Sequence, residues 1–448
     1  MRLEQAFETL PGFVVPAEFG RFKEHIDPEW IEEALTATGT ASIRRRRMPA
    51  EQVIWLVVGM ALMRSESIDR IVAMLDLALP SNDGSLAAKS GIARARQRLG
   101  EDPIEYLFAL SAAHWADESA LQHAWRGLGL FGMDGTTLRV PDSSENWDAF
   151  GGQCGNGKRN GSAYPMIRLV ALMALRSHLL SSVRFSKYAD GETTLADDCW
   201  PSVPDNSLTV VDRGFLVAHQ LTRLEQSGTN RHWLTRAKTT TRLRTIKKLG
   251  RNDRLVEIEL SEQTRRLHPD IPRVWEARAI TYKRKGFRES TLLTSLRDAS
   301  RYPVDEIVAL YHERWEIEIA YDEVKTHLLD RQEAIRSRTP AGVRQEIWGI
   351  ALAYNLVRLE MERAADEAGV EPNRISFVNA LSLIRNAWLA WSTLPLAPGR
   401  IPEGLLELRR YLKLLVLPPR RPERVHPRAV KIKMSAYNRK PPKGKGRK

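Results

Sequence analysis

The sequence predicts an α/β protein, because stretches with helical and with strand-like spacing alternate along it. Residues 1 to about 124 carry apolar side chains at helical spacing. From Trp125 to residue 238 the chain changes to short apolar runs bounded by glycine and polar residues, which is typical of strands. Helical spacing returns from Val304 to about Ala365 and again from Ser376 to Leu394. We therefore expect a sheet-containing core between two helical regions.

Length and composition limit the class of protein. The 448 residues predict two to four domains at about 150 residues each. A content of 43% apolar and 27% charged residues excludes wholesale disorder. The two cysteines, Cys154 and Cys199, are too few for a disulfide framework or a cysteine-rich zinc site.

No segment suggests a membrane partner. The longest apolar stretch, Val53 to Met63, is much shorter than the ~20 residues of a membrane helix. The first five residues include an acid and no apolar core, so no signal peptide is predicted. We expect a soluble cytoplasmic protein.

The net charge of +13 is concentrated in two places. Residues 420–448 contain twelve basic residues and one acidic residue, and residues 239–298 contain fifteen basic and eight acidic residues. The rest of the chain is mildly acidic. Two basic segments on an acidic body predict a polyanion that is contacted at defined sites. Solubility alone is the alternative explanation for the basic tail.

The N-terminal region contains three predicted helices. One begins at Pro49–Gln52, a second spans Ser67 to Leu79, and a third opens near Ser90. The third carries three closely spaced arginines: Arg94, Arg96 and Arg98. Arginines on a short helix are typical of a DNA-reading module, although a small dimerisation module gives the same pattern. The run Arg44–Arg47 is expected to be a solvated face.

Five strands and one helix are predicted in the first half of the core. In chain order they are Leu128–Met133, Thr136–Val140, Tyr164–Leu175, Leu179–Phe185, a helix at Glu192–Trp200, and Leu208–Val211. The glycine-rich segment Gly151–Arg159 imitates a phosphate-binding loop. Arg159 stands where that loop needs Ser or Thr, so a nucleotide site is not predicted.

The second half of the core is interrupted by a segment of different composition. Residues 239–298 alternate Thr, Arg and Lys with apolar residues and predict a basic β-rich insertion. The expected units are therefore an N-terminal helical domain at 1–124, core parts at 125–238 and 299–400, the insertion at 239–298, and a basic tail at 401–448.

Two acids end predicted strands, Asp134 and Asp212. A carboxylate at a strand end is held on rigid backbone at the rim of a sheet, and hard divalent cations prefer oxygen ligands. The alternative is that each aspartate only forms a turn.

A third acid lies on the helix predicted after Val304. At about 100° per residue, Tyr311, Arg314, Glu318 and Lys325 project within an arc of about 60°. One carboxylate, two cations and a phenol on a single face suit phosphate chemistry, because the acid can bind metal and the cations can bind phosphate. An ordinary amphipathic helix with ion-paired positions is the alternative.

These residues resemble a known family. The pattern Tyr-x2-Arg-x3-Glu-x6-Lys, from Tyr311 to Lys325, is similar to the signature of the DDE transposases of insertion-sequence family four. The resemblance extends to Met133–Thr136, to Val211–Phe215 and to Leu293–Leu296, and covers roughly residues 40 to 390. The region from Arg46 to Leu99 is similar to that family's N-terminal domain.

The resemblance implies a fold and a chemistry. It implies a ribonuclease-H-like mixed-sheet core in which Asp134, Asp212 and Glu318 are the catalytic, metal-binding acids. Two Mg²⁺ ions, or Mn²⁺ in their place, are the implied cofactors. Tyr311, Arg314 and Lys325 are then expected to position DNA phosphate.

The implied activity is metal-dependent cleavage and joining of DNA at the ends of an insertion sequence. The implied partners are the element's terminal inverted repeats, target DNA and a second copy of the chain. Arg94, Arg96 and Arg98 are the expected DNA-binding residues, and the location is the bacterial cytoplasm, at the nucleoid. Trp275 is expected to be a core residue and not a base-stacking one.

Two rival functions remain. One is a metal-dependent nuclease that cuts without joining, and the other is an inactive sequence-specific DNA-binding relative, which would be expected to lack one of the acids. Other acids near the predicted site lie in loops or at helix starts: Asp142, Asp148, Asp190, Asp197 and Asp198.

Overall fold

The computed structural model describes residues 26–41, 48–75, 77, 88–153, 164–284, 288–330, 335–393 and 401–418, without the side chains of 388–393 and 401–406. Three features of the sequence lie outside these ranges: the run Arg44–Arg47, the glycine-rich loop from Cys154 onward, and the basic tail from residue 419. Within the described ranges, no helix has both the length and the apolar character needed to cross a bilayer.

In the described residues before the sheet there are five helices, of which the sequence predicted three. They are α1 (Pro28–Ala37), α2 (Ala50–Leu62), α3 (Ile68–Met74), α4 (Lys89–Leu99) and α5 (Asp102–Gln122). The predicted starts are confirmed, because Pro49 precedes α2 and Ser67 precedes α3. Helix α2 is buried on nearly every face and packs against the long helix α12 (Pro340–Ala368). The helical region is therefore anchored on the core.

The core is one mixed sheet of nine strands in the described part of the chain. The strands are β1 (Gly129–Arg139), β2 (Met166–Ala174), β3 (Leu180–Lys187), β4 (Ser207–Val211), β5 (Arg231–Arg236), β6 (Leu243–Gly250), β7 (Asp253–Glu259), β8 (Val274–Tyr282) and β9 (Ser290–Thr294). Their order across the sheet is β3-β2-β1-β4-β5-β9-β8-β7-β6. Strand β4 is parallel to both β1 and β5, and the other neighbours are antiparallel.

The prediction that a strand ends at Asp134 is wrong. Strand β1 continues through Asp134 to Arg139, because β2 pairs with it along the whole segment and places Ala171 opposite Asp134. What does end here is the parallel pairing with β4, whose last pair is Met133 with Val211. Asp134 is therefore the first residue of β1 beyond the end of the neighbouring strand β4.

Three short helices lie among the core strands. They are α6 (Ser144–Phe150), α7 (Glu192–Asp197) and α8 (Ala218–Gln226). The sequence predicts α7 but not α6, which begins at the capping residue Ser143.

The segment at 239–298 contains the predicted strands, β6 to β9, with one helix, α9 (Glu262–Leu267). Strand β9 pairs with β5, and β8, β7 and β6 follow in order. Because of these pairings, the segment extends the core sheet.

The C-terminal part is helical. It consists of α10 (Val304–Glu313), α11 (Trp315–Asp322), a π-helical segment (Glu323–Leu328), α12, α13 (Phe377–Thr393) and α14 (Ile401–Lys413). The prediction that the tail begins at 401 is wrong. Helix α14 buries Leu408 and Leu412, and the amide of Leu417 donates to the carbonyl of Arg374.

Candidate active site

Asp134 lies on β1, and Asp212 directly follows the neighbouring strand β4. Because Met133 pairs with Val211 in the parallel ladder, the residues that come next, Asp134 and Asp212, lie side by side. The Asp134 carboxylate accepts a hydrogen bond from the amide of Gly135 at 2.8 Å, and the Asp212 carboxylate accepts one from the amide of Gly214. The hydroxyl of Thr235 donates to the Asp212 carbonyl at 2.9 Å. Local backbone thus orients both acids.

Helix α11 lies directly over this point of the sheet. The Tyr321 hydroxyl of this helix donates to the Asp134 carbonyl at 2.6 Å, and Ile317 of the same helix is buried. A Cβ at Gly132 would stand 2.6 Å from the Leu175 side chain and 3.8 Å from Ile317. Gly132 therefore leaves room for the Leu175 side chain, while the helix that carries Glu318 would meet a Cβ there only at an ordinary contact distance.

Arg314 connects two of the three acids. Its Nη2 donates to Glu318 Oε1 at 2.8 Å, and its Nη1 is 3.6 Å from Asp134 Oδ2. The Arg314 side chain is 12% exposed, so the pairs are partly shielded from water. Tyr311 lies beside them, and burial raises the pKa of its phenol. The predicted grouping of Tyr311, Arg314 and Glu318 is therefore present, across a short break between α10 and α11.

The electrostatics show that the acids act on one another. Burial raises the pKa of Asp134 to about 6. The Gly135 hydrogen bond and Arg314 oppose that rise, whereas Asp212 and Glu318 add to it. Three carboxylates therefore face one small region of the protein.

Lys325 lies in a segment where the angle of an ideal α-helix no longer applies. The helix widens into the π-helical segment Glu323–Leu328, which rotates the side chains that follow. Lys325 Nζ donates to the hydroxyl of Thr136, two residues beyond Asp134 on β1. Because residues two apart on a strand share a face, Lys325 still reaches the face that holds Asp134. Burial lowers its pKa.

The donor set fits a hard divalent cation. All three acids offer carboxylate oxygens, which such ions prefer, and the Arg314 guanidinium already places positive charge between two of them. In the described ranges, no three acidic, histidine or cysteine side chains lie close enough together to form a ready-made metal cage. Arg314 must therefore give way, or the acids must draw together, for an ion to bind.

The three N-terminal arginines do not act together. Arg94 and Arg98 are exposed on α4. The expected DNA-binding role does not suit Arg96, which donates to Gln345 Oε1 at 2.9 Å and to Ser337 Oγ at 3.1 Å. The periodicity of α4 turns Arg96 toward α12, so its guanidinium joins the N-terminal helices to the core.

Other sequence candidates are engaged elsewhere. Trp275 is buried, packs against Trp233 at 4.8 Å and donates to Glu225, so the expectation of a core residue is confirmed. Asp142 accepts a hydrogen bond from Trp147 at 2.6 Å, and Asp190 accepts one from Ser186 at 2.5 Å. Cys199 is buried, and burial raises the pKa of its thiol to about 12.

Sequence reasoning missed several residues that support the site. Thr136, Thr235 and Tyr321 bind its backbone or its lysine, and a cluster of buried polar residues lies behind the helix of Glu318. Thr136 follows Asp134 closely enough to have been considered. The partners of the others depend on tertiary contacts.

Two family models match the chain. The model described as "Insertion element 4 transposase N-terminal" matches residues 16–109, and the one described as "Transposase DDE domain" matches residues 125–356. The second spans Asp134, Asp212 and the whole of α11.

Known proteins are similar to this chain over about half to nearly all of its length. "Transposase InsG for insertion sequence element IS4" of Escherichia coli is 38% identical over 421 residues, or 94% of this chain and 93% of that protein. "Putative transposase InsZ" of Escherichia coli is 41% identical over 214 residues, or 48% of this chain and 70% of that protein. A solved piggyBac transposase synaptic complex with hairpin DNA aligns over 91% of this chain and 87% of its own, with a TM-score of 0.43 and 11% identity.

Proposed function

This chain belongs to the IS4 family of DDE transposases and is a DNA transposase that depends on divalent metal ions, and we propose that Asp134, Asp212 and Glu318 hold those ions. One observation carries the assignment. The parallel register makes the two aspartates neighbours, and a single guanidinium joins the first of them to Glu318. The region between these groups is therefore rich in carboxylate oxygen.

Two Mg²⁺ ions, with Mn²⁺ as a substitute, are the cofactors that this donor set suits. Held by Asp134, Asp212 and Glu318, such ions would supply activation of the attacking water or 3′-hydroxyl and stabilisation of the leaving oxygen. The side chains and backbone of the protein orient the carboxylates. Tyr321 and the Gly135 amide hold Asp134, and Thr235 and the Gly214 amide hold Asp212, so both carboxylates stay oriented.

Arg314 and Lys325 bind DNA phosphate in this proposal. Both lie beside the acids, and both are partly buried, so a phosphate that reaches them is shielded from water. Tyr311 lies next to Arg314. Arg314 pairs with the acids in the protein alone and moves to phosphate when DNA binds.

Terminal inverted repeats of the element are the proposed specific DNA. Arg94 and Arg98 on α4 are exposed, and the region that carries them matches the N-terminal family model, which supports a recognition role. A homodimer on DNA is the proposed assembly, since cutting and joining two ends requires two sites.

The metal assignment is tested with Asp134→Asn, Asp212→Asn and Glu318→Gln. We expect nicking of a duplex that carries the inverted repeat flanking the gene to fall at least a hundredfold. Binding of that duplex in Ca²⁺ should be unchanged or tighter, because negative charge facing DNA is removed. The matched control is Asp322→Asn, an exposed acid on the same helix whose side chain is 66% exposed.

Two outcomes decide the assignment. If Glu318→Gln nicks at the wild-type rate in Mg²⁺, the helix is only an ion-paired face and the assignment is wrong. A joining assay on pre-nicked ends separates a transposase site from one that only hydrolyses DNA.

A further inference from the structure

Five buried polar residues form a cluster behind the helix of Glu318, on its inner side. This inner cluster consists of His178, Glu316, Glu323, Tyr354 and Arg358. Arg358 donates to Glu323 Oε2 and contacts His178 Nδ1, and its Nε is 3.2 Å from the Tyr354 hydroxyl. Tyr354 donates to Glu323 Oε2 at 2.7 Å, and His178 Nε2 lies 2.9 Å from Glu316 Oε2. None of the five side chains is used in the proposed chemistry.

The cluster joins four parts of the chain. Glu316 lies on α11 and Glu323 opens the π-helical segment, while Tyr354 and Arg358 lie on α12. His178 comes from the turn between β2 and β3, where its φ of +64° is in the left-handed region. That region is unfavourable for a residue with a Cβ, so a glycine would suit the backbone better. The imidazole that this backbone carries contacts both glutamates, Glu316 at 2.9 Å and Glu323 at 3.5 Å.

The two glutamates bracket Glu318 on the opposite face. At about 100° per residue, Glu316 projects roughly 200° away from Glu318 and so faces the interior. Glu323 is held at the residue where the helix widens, two residues before Lys325. Fixing Glu316 and Glu323 therefore fixes the directions in which Glu318 and Lys325 point.

Apolar packing between the helix of Glu318 and the sheet leaves a gap. An apolar cavity of about 40 Å³ lies between the helix and the sheet, and its lining includes Thr136, Val324, Lys325 and Tyr354. Protein interiors are otherwise close-packed, so the apolar packing on this side of the helix is incomplete. The directional hydrogen bonds of the inner cluster supply the missing restraint.

We infer that the inner cluster is a positioning device that sets the rotation of α11 and the π-helical segment, so that Glu318 faces Asp134 and Lys325 reaches Thr136. The inference rests on the proposed function of those residues. Buried ion pairs contribute little net stability, and their best-attested use is to specify one arrangement among several. Burial alone would raise the pKa of Glu323, but Arg358, His178 and Tyr354 outweigh it and hold that pKa at about 2, which keeps the pair ionised.

The test replaces the charged pair by packing side chains, in Glu323→Met with Arg358→Met. The matched control is Asn355→Leu, because Asn355 is also buried on α12 but, among the described residues, its side chain bonds only the backbone of Leu180, at 2.9 Å. A conservative variant, Glu323→Gln, keeps an acceptor for Tyr354 and Arg358. The probe is a duplex that carries the inverted repeat flanking the gene. Its dissociation constant is measured in Ca²⁺, and single-turnover nicking is measured in Mg²⁺ with protein in excess.

We expect the double variant to bind the duplex within threefold of wild type and to nick it at least tenfold more slowly. Glu323→Gln should nick within threefold of wild type. Amide hydrogen exchange should quicken in residues 315–328 of the double variant and stay unchanged in β2 and β3. Asn355→Leu should lower the unfolding temperature and leave nicking unaffected.

Two results would contradict the positioning role of the inner cluster. Nicking by the double variant within threefold of wild type overturns the inference, as does an equal loss in Asn355→Leu. If the double variant does not fold cooperatively, Arg358→Lys decides, since it keeps the charge but loses the fork that reaches both Glu323 and Tyr354. Its expected result is again slow nicking with unchanged DNA affinity, and a wild-type rate overturns the inference.

Glu318→Gln is measured alongside these variants. If it nicks like wild type, the proposed metal site fails. If it is inactive while the double variant is fully active, only the positioning role fails.

Discussion

Arg314 and Glu318 form an ion pair at 2.8 Å, and the same guanidinium lies 3.6 Å from the carboxylate of Asp134. A cation of the chain therefore stands between two of the three proposed metal ligands. The pairs neutralise carboxylates that would otherwise repel one another in a partly buried place. Any incoming metal ion must compete with this guanidinium.

Removing the guanidinium should therefore strengthen metal binding and weaken DNA binding. Arg314→Ala should bind Mn²⁺ roughly threefold to tenfold more tightly without DNA, because no fixed positive charge opposes the ion. DNA affinity and nicking should both fall. Electron paramagnetic resonance of free Mn²⁺ gives the metal affinity. The control is Arg126→Ala, an exposed arginine paired with Glu306 at 2.6 Å. Unchanged Mn²⁺ affinity in Arg314→Ala would place the ion elsewhere.

The contact between Lys325 and Thr136 gives a second expectation. Lys325→Ala removes a partly buried cation, so DNA binding in Ca²⁺ should weaken about fivefold to thirtyfold. Thr136→Val removes only the hydroxyl that accepts from Lys325, and should slow nicking more than it weakens binding. Lys187→Ala, at an exposed lysine on the edge strand β3, is the control. Equal effects in Lys325→Ala and Lys187→Ala would mean that Lys325 contributes only general charge.

Local patterns predicted the parts of the fold that depend on neighbours in sequence. The starts of α2 and α3 follow from Pro49 and Ser67, and the strands of 239–298 follow from their alternation. The break predicted at Asp134 is absent because β2 supports the whole of β1, a pairing that no local pattern reveals. Helix α14 was missed because its buried leucines stand among charged residues, so the segment resembled the tail that follows.

The same distinction holds within the site. Arg314 and Glu318 are four residues apart on a helical segment, so their contact could be predicted from spacing. The contact of Lys325 with Thr136 could not be predicted from spacing, because Lys325 lies in the π-helical segment. That segment begins at Glu323, which is paired with Arg358 from another helix. The contacts of Arg96 could not be predicted for the same reason, since its partners Gln345 and Ser337 are more than 240 residues away.

We expect Arg96 to contribute to the stability of the fold, and Arg94 and Arg98 to contribute to DNA binding. Arg96→Met loses two side-chain hydrogen bonds and leaves Gln345 without one partner, so we expect a loss of about 1–3 kcal/mol in the free energy of unfolding. Arg94→Ala with Arg98→Ala should leave that free energy unchanged and weaken binding of the inverted repeat. Urea denaturation and gel shifts measure the two quantities. A stable Arg96→Met protein that fails to bind DNA would show that Arg96 contacts DNA after all.

Asp117 on α5 gives a pH-dependent expectation. Burial raises the pKa of Asp117 to about 6, and in the described part of the chain its Oδ1 has no hydrogen-bond partner. Because the folded pKa exceeds the unfolded one, ionisation destabilises the fold as pH rises from about 4 to about 6. Asp117→Asn should therefore be more stable by ~1 kcal/mol above pH 7, after allowance for partial exposure, and no more stable below pH 4. Thermal unfolding across that range checks the sign, and a difference that grows toward low pH would contradict it.

The basic tail should contribute affinity without specificity. Residues 420–448 carry twelve basic residues and one acid, and they hold few apolar residues that could form a core of their own. Deleting residues 419–448 should weaken binding to the inverted repeat and to scrambled DNA alike. The slope of the logarithm of affinity against the logarithm of salt concentration should become shallower by roughly 0.9 for each phosphate that the tail neutralises in the full-length protein. A chain with the same tail residues in shuffled order is the control, and it should keep the wild-type slope because counterion release depends on charge and not on order.

If truncation leaves the slope unchanged, the tail does not contact phosphate. If the shuffled tail loses preference for the inverted repeat, the tail reads sequence, and recognition is not confined to the helices before residue 124.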